Sequence, residues 1–201
     1  MLTRRAMFMP ALLLAAMPRS AWPQNGGRLP VAAREMTPTP SCHDGDNPPT
    51  EAAEEGPYFK TGSPERSRLL EPGMAGTPLR IGGYVLTRRC RPVERVLVDL
   101  WQADDAGRYD AEGYRLRGHQ FTDAQGRWQF ETLVPGLYTG RTRHIHFKLQ
   151  APQRAVLTTQ LYFPDEPRNA QDALFNKHLL LAVAANEAGQ IGRYDFVLDM
   201  A

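Results

Sequence analysis

Short apolar segments broken at close intervals by turn residues constrain this chain more than any other feature. PLRIGGYVL (78–86) and VERVLVDLWQA (93–103) are rich in β-branched and aromatic residues with approximate alternation, and the clusters EPGMAG and DDAG bound them. RWQFETL follows the turn DAQG, HIHFKLQ follows PGLYTGRTR, and LTTQLYF ends at PDEP. RYDFVLDM reads as a last strand. Many short strands with turns between them predict a mainly β fold, an antiparallel β-sandwich in one domain over residues 50–201. One stretch breaks the pattern. Residues 169–184 (NAQDALFNKHLLLAVA) have a helical look just after Pro167, with Asn169 as N-cap, and predict one short C-terminal helix.

The first 22 residues read as an export signal of twin-arginine type, with Arg4 and Arg5 ahead of a short apolar run from Met7 to Met17. That run is too short for a bilayer span, which needs about 20 apolar residues, so no stable membrane insertion is expected after signal removal. An ordinary secretory signal is the alternative, and both predict a periplasmic or extracellular protein. Residues 23–49 are rich in Pro, Gly and small polar residues and read as a tether or an arm laid over the domain. Cys42 and Cys90 invite a disulfide in an exported chain, with two free thiols as the alternative. The net charge is +2, and much of the basic excess lies near the start of the chain, which argues against a nucleic-acid partner.

His144-Ile145-His146 carries the first chemical signal. Residues i and i+2 of a strand share a face, so both imidazoles project together while Ile145, Phe147 and Leu149 pack inward. Taken alone, such a pair is more often polar surface. Tyr109 (DDAGRYD) and Tyr138 (VPGLYTGR) each follow a turn glycine, and each alone reads as a packed strand-end residue. Together the four suggest a hard trivalent ion, since phenolate is a hard anionic donor whose ordinary pKa of about 10 requires a strong Lewis acid near neutrality. Two neutral imidazoles, two phenolates and a hydroxide balance three positive charges.

The ordered set EGPYF, VDLWQADDAGRYD, RGHQFTDAQGRWQFETLVPGLYTGRTRHIHF and LTTQLYF, over roughly residues 50–165, resembles the intradiol ring-cleavage dioxygenases. The resemblance implies one Fe(III) per chain, held by Tyr109, Tyr138, His144 and His146. It implies an activity in aromatic compound catabolism, the cleavage of a small aromatic diol of catechol type by O2 to a muconate-type diacid. Arg141 matches the arginine of the family pocket, Tyr138 also accepts a substrate proton, and Gln160 matches a glutamine near the substrate ring. Tyr114 rivals Tyr109, though GRYD after WQAD fits the family pattern better. Tyr58 and Trp101 are aromatic enough to line the pocket or to sit in the core. Only five residues separate Tyr138 from His144, a shorter connection than in well-known members, and the chain shows no N-terminal helical region of the catechol 1,2-dioxygenase kind. Sandwich subunits of this family commonly associate, so a homo-oligomer is expected. Two other readings remain open: a non-catalytic transthyretin-like or carboxypeptidase-regulatory-like module, and an exported copper or zinc protein built on the histidine pair.

Overall fold

A computed structural model describes Cys42 and residues 46–201. The export signal expected over 1–22 and most of the arm expected over 23–49 lie outside the described residues. Among the described residues nine strands form two sheets: β1 (Pro78–Thr87), β2 (Leu97–Trp101), β3 (Arg117–Phe121), β4 (Arg127–Leu133), β5 (His144–Gln150), β6 (Leu157–Tyr162), β7 (Ala182–Asn186), β8 (Gly189–Arg193) and β9 (Phe196–Leu198). One sheet runs β3-β2-β5-β6 and is antiparallel throughout. The other runs β4-β1-β8-β7, with β9 also on β1.

The expected sandwich is present, with a correction to its pairing. β1 is antiparallel to β4 but parallel to both β8 and β9, so the second sheet is mixed. The expected C-terminal helix over 169–184 also needs correction: the segment holds two single 3-10 turns, Pro167–Ala170 and Lys177–Leu179, and then becomes β7. Its short polar side chains bond their own backbone. Asp172 Oδ1 accepts from the Leu174 N–H and Asn176 Oδ1 from the His178 N–H, so the chain turns locally instead of propagating a helix. Beyond them, Ala182–Asn186 gains ladder hydrogen bonds from β8, and that pairing overrides a weak helical propensity.

Alternation fixes which face of each strand points between the two sheets. On β5, Ile145, Phe147 and Leu149 are fully buried and join Val98, Leu100 and Leu161 of their own sheet. Ile81, Val85, Trp128 and Phe130 face them from the second sheet. Trp128 lies edge-on to Phe147 at 5.3 Å and tilted against Phe196 at 5.2 Å, which interlocks the two layers. Burying a ring of this size contributes about 2–3 kcal/mol.

Residues 46–59 form an extended segment that joins the sheets. Thr50 exchanges hydrogen bonds with Val197, and Ala53 N–H bonds Thr158 O on the edge strand β6. Cys42 and Cys90 form the disulfide, with Cα atoms 5.8 Å apart and a sequence separation of 48. Asn47 reinforces the anchor by bonding Arg88 O through its backbone and side chain. Closing a loop of that length removes unfolded-state freedom worth about 4 kcal/mol. Cys90→Ser is therefore expected to lower unfolding free energy by up to about 4 kcal/mol in urea titrations. A midpoint equal to wild type would exclude a bridge that contributes to stability. No helix among the described residues is long and apolar enough to cross a membrane.

Candidate metal centre and its polar support

The outer face of the β3-β2-β5-β6 sheet carries one cross-strand row: Arg117 pairs with Trp101, Trp101 with His146, and His146 with Gln160. His144 stands one step along β5, opposite Tyr162. All of these are buried, although four are polar or charged, so each needs partners. Trp101 supplies the apolar floor, its ring stacked on His146 at 4.9 Å and 11°.

The WQAD run explains how Tyr109 reaches this face. Gln102 is buried and staples its loop to β4, donating to Leu133 O and accepting from Thr132 Oγ1. Asp104 Oδ1 accepts from the Ala106 and Arg108 N–H groups, curling the chain into the turn that ends in Tyr109. Gly107 has φ +78°, and a Cβ there would stand 2.3 Å from Leu137 O; a Cβ on Gly136 would stand 2.3 Å from Asp105 O. These two glycines let the loops bearing Tyr109 and Tyr138 press backbone to backbone.

Three donor atoms converge as a result. His144 Nε2 and His146 Nε2 are 3.1 Å apart, and Tyr109 Oη lies 3.2 Å from the first and 3.1 Å from the second. Tyr138 sits beside them, its ring edge-on to Tyr109 at 5.6 Å, while its hydroxyl meets that of Tyr58 at 3.1 Å. Tyr58 also stacks flat on Tyr109, 4.5 Å away and 7° from parallel. Tyr114 lies elsewhere: its hydroxyl donates to Thr61 O, and Lys60 covers its ring.

Electrostatics favour neutral imidazoles. The His144 Nδ1–H donates to Thr142 O at 2.6 Å, which leaves the Nε2 lone pair facing the triangle. Burial pushes the His144 pKa down to about 4, and burial followed by the neighbouring His144, Arg141 and Arg117 holds His146 well below its ordinary value. Burial raises the Tyr109 hydroxyl well above its ordinary value of 10, with Arg141 and Arg117 pulling the other way. A phenolate at that position therefore calls for a strong cation nearby.

Those residues fit a metal ion. Edges of 3.1–3.2 Å are what nitrogen and oxygen donors have when they share an ion at bond lengths of about 2.0–2.2 Å. Among the described residues no three His, Cys, Asp or Glu side chains come together, so the neighbouring phenol oxygens are the side-chain donors placed to join the imidazoles, and such a set suits a hard ion.

Around this triangle runs a polar network that sequence reasoning reached only in part. The Arg141 guanidinium donates from Nε to Asp172 Oδ2 and from Nη2 to Gln160 Oε1, both at 2.8 Å. Asp172 also accepts from the Thr142 N–H at 2.8 Å, linking Arg141 to the backbone that holds His144. Gln160 Nε2 donates to Glu54 O at 2.5 Å, and Tyr162 donates to Leu174 O at 2.7 Å. Arg117, a second buried cation, donates to Tyr58 O at 2.6 Å and Asp110 O at 2.9 Å, fixing both tyrosine-bearing segments. Asp172, Arg117 and Thr142 carry no local motif. Only the fold brings them to the site.

Comparison with known proteins adds an independent finding. The family model Dioxygenase_C, described as a dioxygenase, matches residues 54–200. The protocatechuate 3,4-dioxygenase beta chain of Burkholderia cepacia is 37% identical over 118 residues, covering 50% of this chain and 50% of that protein. Hydroxyquinol 1,2-dioxygenase of Nocardioides simplex is 29% identical over 150 residues, covering 63% and 51%. The chain thus spans about half the length of these curated relatives. Among solved structures, the dioxygenase domain of a dioxygenase–carbohydrate-binding fusion from Streptomyces sp. SirexAA-E superposes with TM-score 0.75 and 56% identity, covering 77% of this chain and 100% of that one. The 3-chlorocatechol 1,2-dioxygenase of Rhodococcus opacus 1CP superposes with TM-score 0.72 and 29% identity, covering 77% and 74%.

Proposed function

Since this chain belongs to the intradiol ring-cleavage dioxygenases, we propose that it is an iron(III)-dependent oxidoreductase acting on catechol-type aromatic diols. It would cleave the ring between the two hydroxyl-bearing carbons with O2, giving muconate-type diacids. The observation that carries this assignment is the triangle of His144 Nε2, His146 Nε2 and Tyr109 Oη at 3.1–3.2 Å, with Tyr138 at its side. Tyr109, Tyr138, His144 and His146 would hold one ferric ion. When bound, that ion supplies a Lewis-acidic centre for a vicinal diol to chelate and makes the electron-rich ring reactive toward O2.

The chain's own residues do the rest. Tyr138 is half-buried and bonded to Tyr58, so its oxygen is placed to take a proton from an arriving diol. Arg141 presents a fixed positive charge, held by Asp172 and Gln160, toward oxygens on which negative charge grows during ring opening. Gln160 acts through Arg141: it is fully buried, and both ends of its amide are engaged by Arg141 and Glu54. The floor formed by Trp101 and His146 keeps water out of the inner half of the site.

A copper or zinc site on the histidine pair lacks a third His, Cys, Asp or Glu among the described residues, and the matched relatives are dioxygenases rather than regulatory modules. The disulfide supports an oxidising compartment, in keeping with the export signal read in residues 1–22. Purified, iron-loaded protein is expected to be reddish and to consume O2 in step with a vicinal diol, with cleavage between the hydroxyls established by product identification. No O2 uptake across a panel of catechol, hydroxyquinol, protocatechuate and larger diols would overturn the assignment.

A further inference from the structure

Next to the polar network around Gln160 and Tyr162 lies an open cleft of about 860 Å³, walled by residues 51–55 on one side and 173–178 on the other. A cleft this large matches drug-sized ligands and far exceeds one benzene ring. The backbone of each wall is hydrogen-bonded to a residue beside the site. On the first, Glu54 O accepts from Gln160, and a side chain on Gly56 would come within 3.3 Å of His146 Cε1. On the second, Leu174 O accepts from Tyr162, and Asp172 grips Arg141.

The charges on these walls are unequal in a specific way. Glu51 lies 3.1 Å from His178 Nδ1, which offsets its charge only when that imidazole is protonated, and it accepts from Asn176 at 2.7 Å. Glu55 is paired with Lys148. The Glu54 carboxylate makes no ion pair or hydrogen bond among the described residues. Lys177 is also without an ion pair there, but it stands in the 3-10 turn three residues beyond Leu174, whereas Glu54 is two residues from the glycine that abuts His146. A diol that reaches the site along the first wall passes the uncompensated negative charge of Glu54.

We propose that Glu54 makes this cleft selective by charge, favouring diols whose substituent is neutral or cationic and disfavouring those that carry a carboxylate. This selection rests on the ring-cleavage activity proposed above for the same site. A substrate anion beside an unpaired carboxylate loses binding free energy through Coulomb repulsion, moderated because Glu54 is exposed. Glu54→Gln removes the charge while keeping the backbone carbonyl that Gln160 needs.

The test compares the iron-loaded wild type with Glu54→Gln on three ring-matched diols: 4-methylcatechol, 4-(2-aminoethyl)catechol and 3,4-dihydroxybenzoate. Both kcat/KM and calorimetric Kd are measured at low and physiological salt. Wild type is expected to prefer the neutral and cationic diols over the carboxylate by about tenfold, and Glu54→Gln to shrink that ratio by about threefold or more, with added salt shrinking it too. An unchanged ratio in Glu54→Gln, or a ratio that moves only in Lys177→Gln, would overturn the charge selection while leaving ring cleavage intact. If no diol is cleaved, the ring-cleavage reading falls. Calorimetry then decides the charge selection separately: a charge preference that Glu54→Gln removes supports it, and its absence overturns it.

Discussion

Replacing His146 with alanine is expected to abolish metal retention and, with it, more than about 1000-fold of the ring-cleaving turnover. His146 Nε2 touches two of the three converging donors, His144 Nε2 and Tyr109 Oη, so its loss leaves too few donors for an ion. Tyr109→Phe is the sharper companion, because phenylalanine keeps the flat stack on Tyr58 and removes one oxygen. It should fold as wild type by circular dichroism yet lose both colour and iron in elemental analysis. Tyr114→Phe serves as the counter-case: its hydroxyl bonds Thr61 O, away from the triangle, so iron content should hold at the wild-type level. Wild-type iron in His146→Ala, or iron lost from Tyr114→Phe and kept in Tyr109→Phe, would overturn the ligand set.

The histidine pair was legible because two-residue periodicity is local: placing Ile145, Phe147 and Leu149 in the core leaves His144 and His146 no other face. Tyr109 was legible through the turn before it, where Asp104 and Gly107 both do what their types suggest. The network behind Arg141 was not. Asp172 lies 31 residues from Arg141, in a stretch whose alanines and leucines suggest a helix, and its carboxylate finds Arg141 only because the chain after β6 folds back against the loop that precedes β5. Arg117 was hidden for a related reason. RGHQF lacks the β-branched residues that mark a strand, so β3 is specified by pairing with β2 rather than by its own composition. The alanine-rich β7 and the glycine-flanked β8 depend likewise on partners distant in sequence, and a parallel pairing with β1 leaves no local trace. Local rules thus reached the groups proposed to hold an ion. The groups that orient them come from long-range pairing.

Asp172→Asn tests that orienting network. Side-chain exposures of 16% for Arg141 and 3% for Asp172 make theirs a largely desolvated ion pair, and removing one charge from such a pair costs about 3 kcal/mol. Iron content should survive, since no donor atom is altered, while kcat should fall about 100-fold as Arg141 loses the carboxylate that aims it. The pH dependence carries its own sign. Burial alone would raise the Asp172 carboxyl, but the Thr142 N–H, the Arg141 side chain and the Leu174 N–H together hold it below the ordinary 3.8. A carboxyl depressed by folding stabilises the native state above its ordinary pKa, and that contribution disappears as pH falls through the depressed value. The stability gap between wild type and Asp172→Asn, measured by urea denaturation, should therefore be widest near neutrality and close below pH 3.8. A gap that stays constant from pH 7 to pH 3 would mean that Asp172 acts through packing rather than charge, and the aiming role assigned to it would fail.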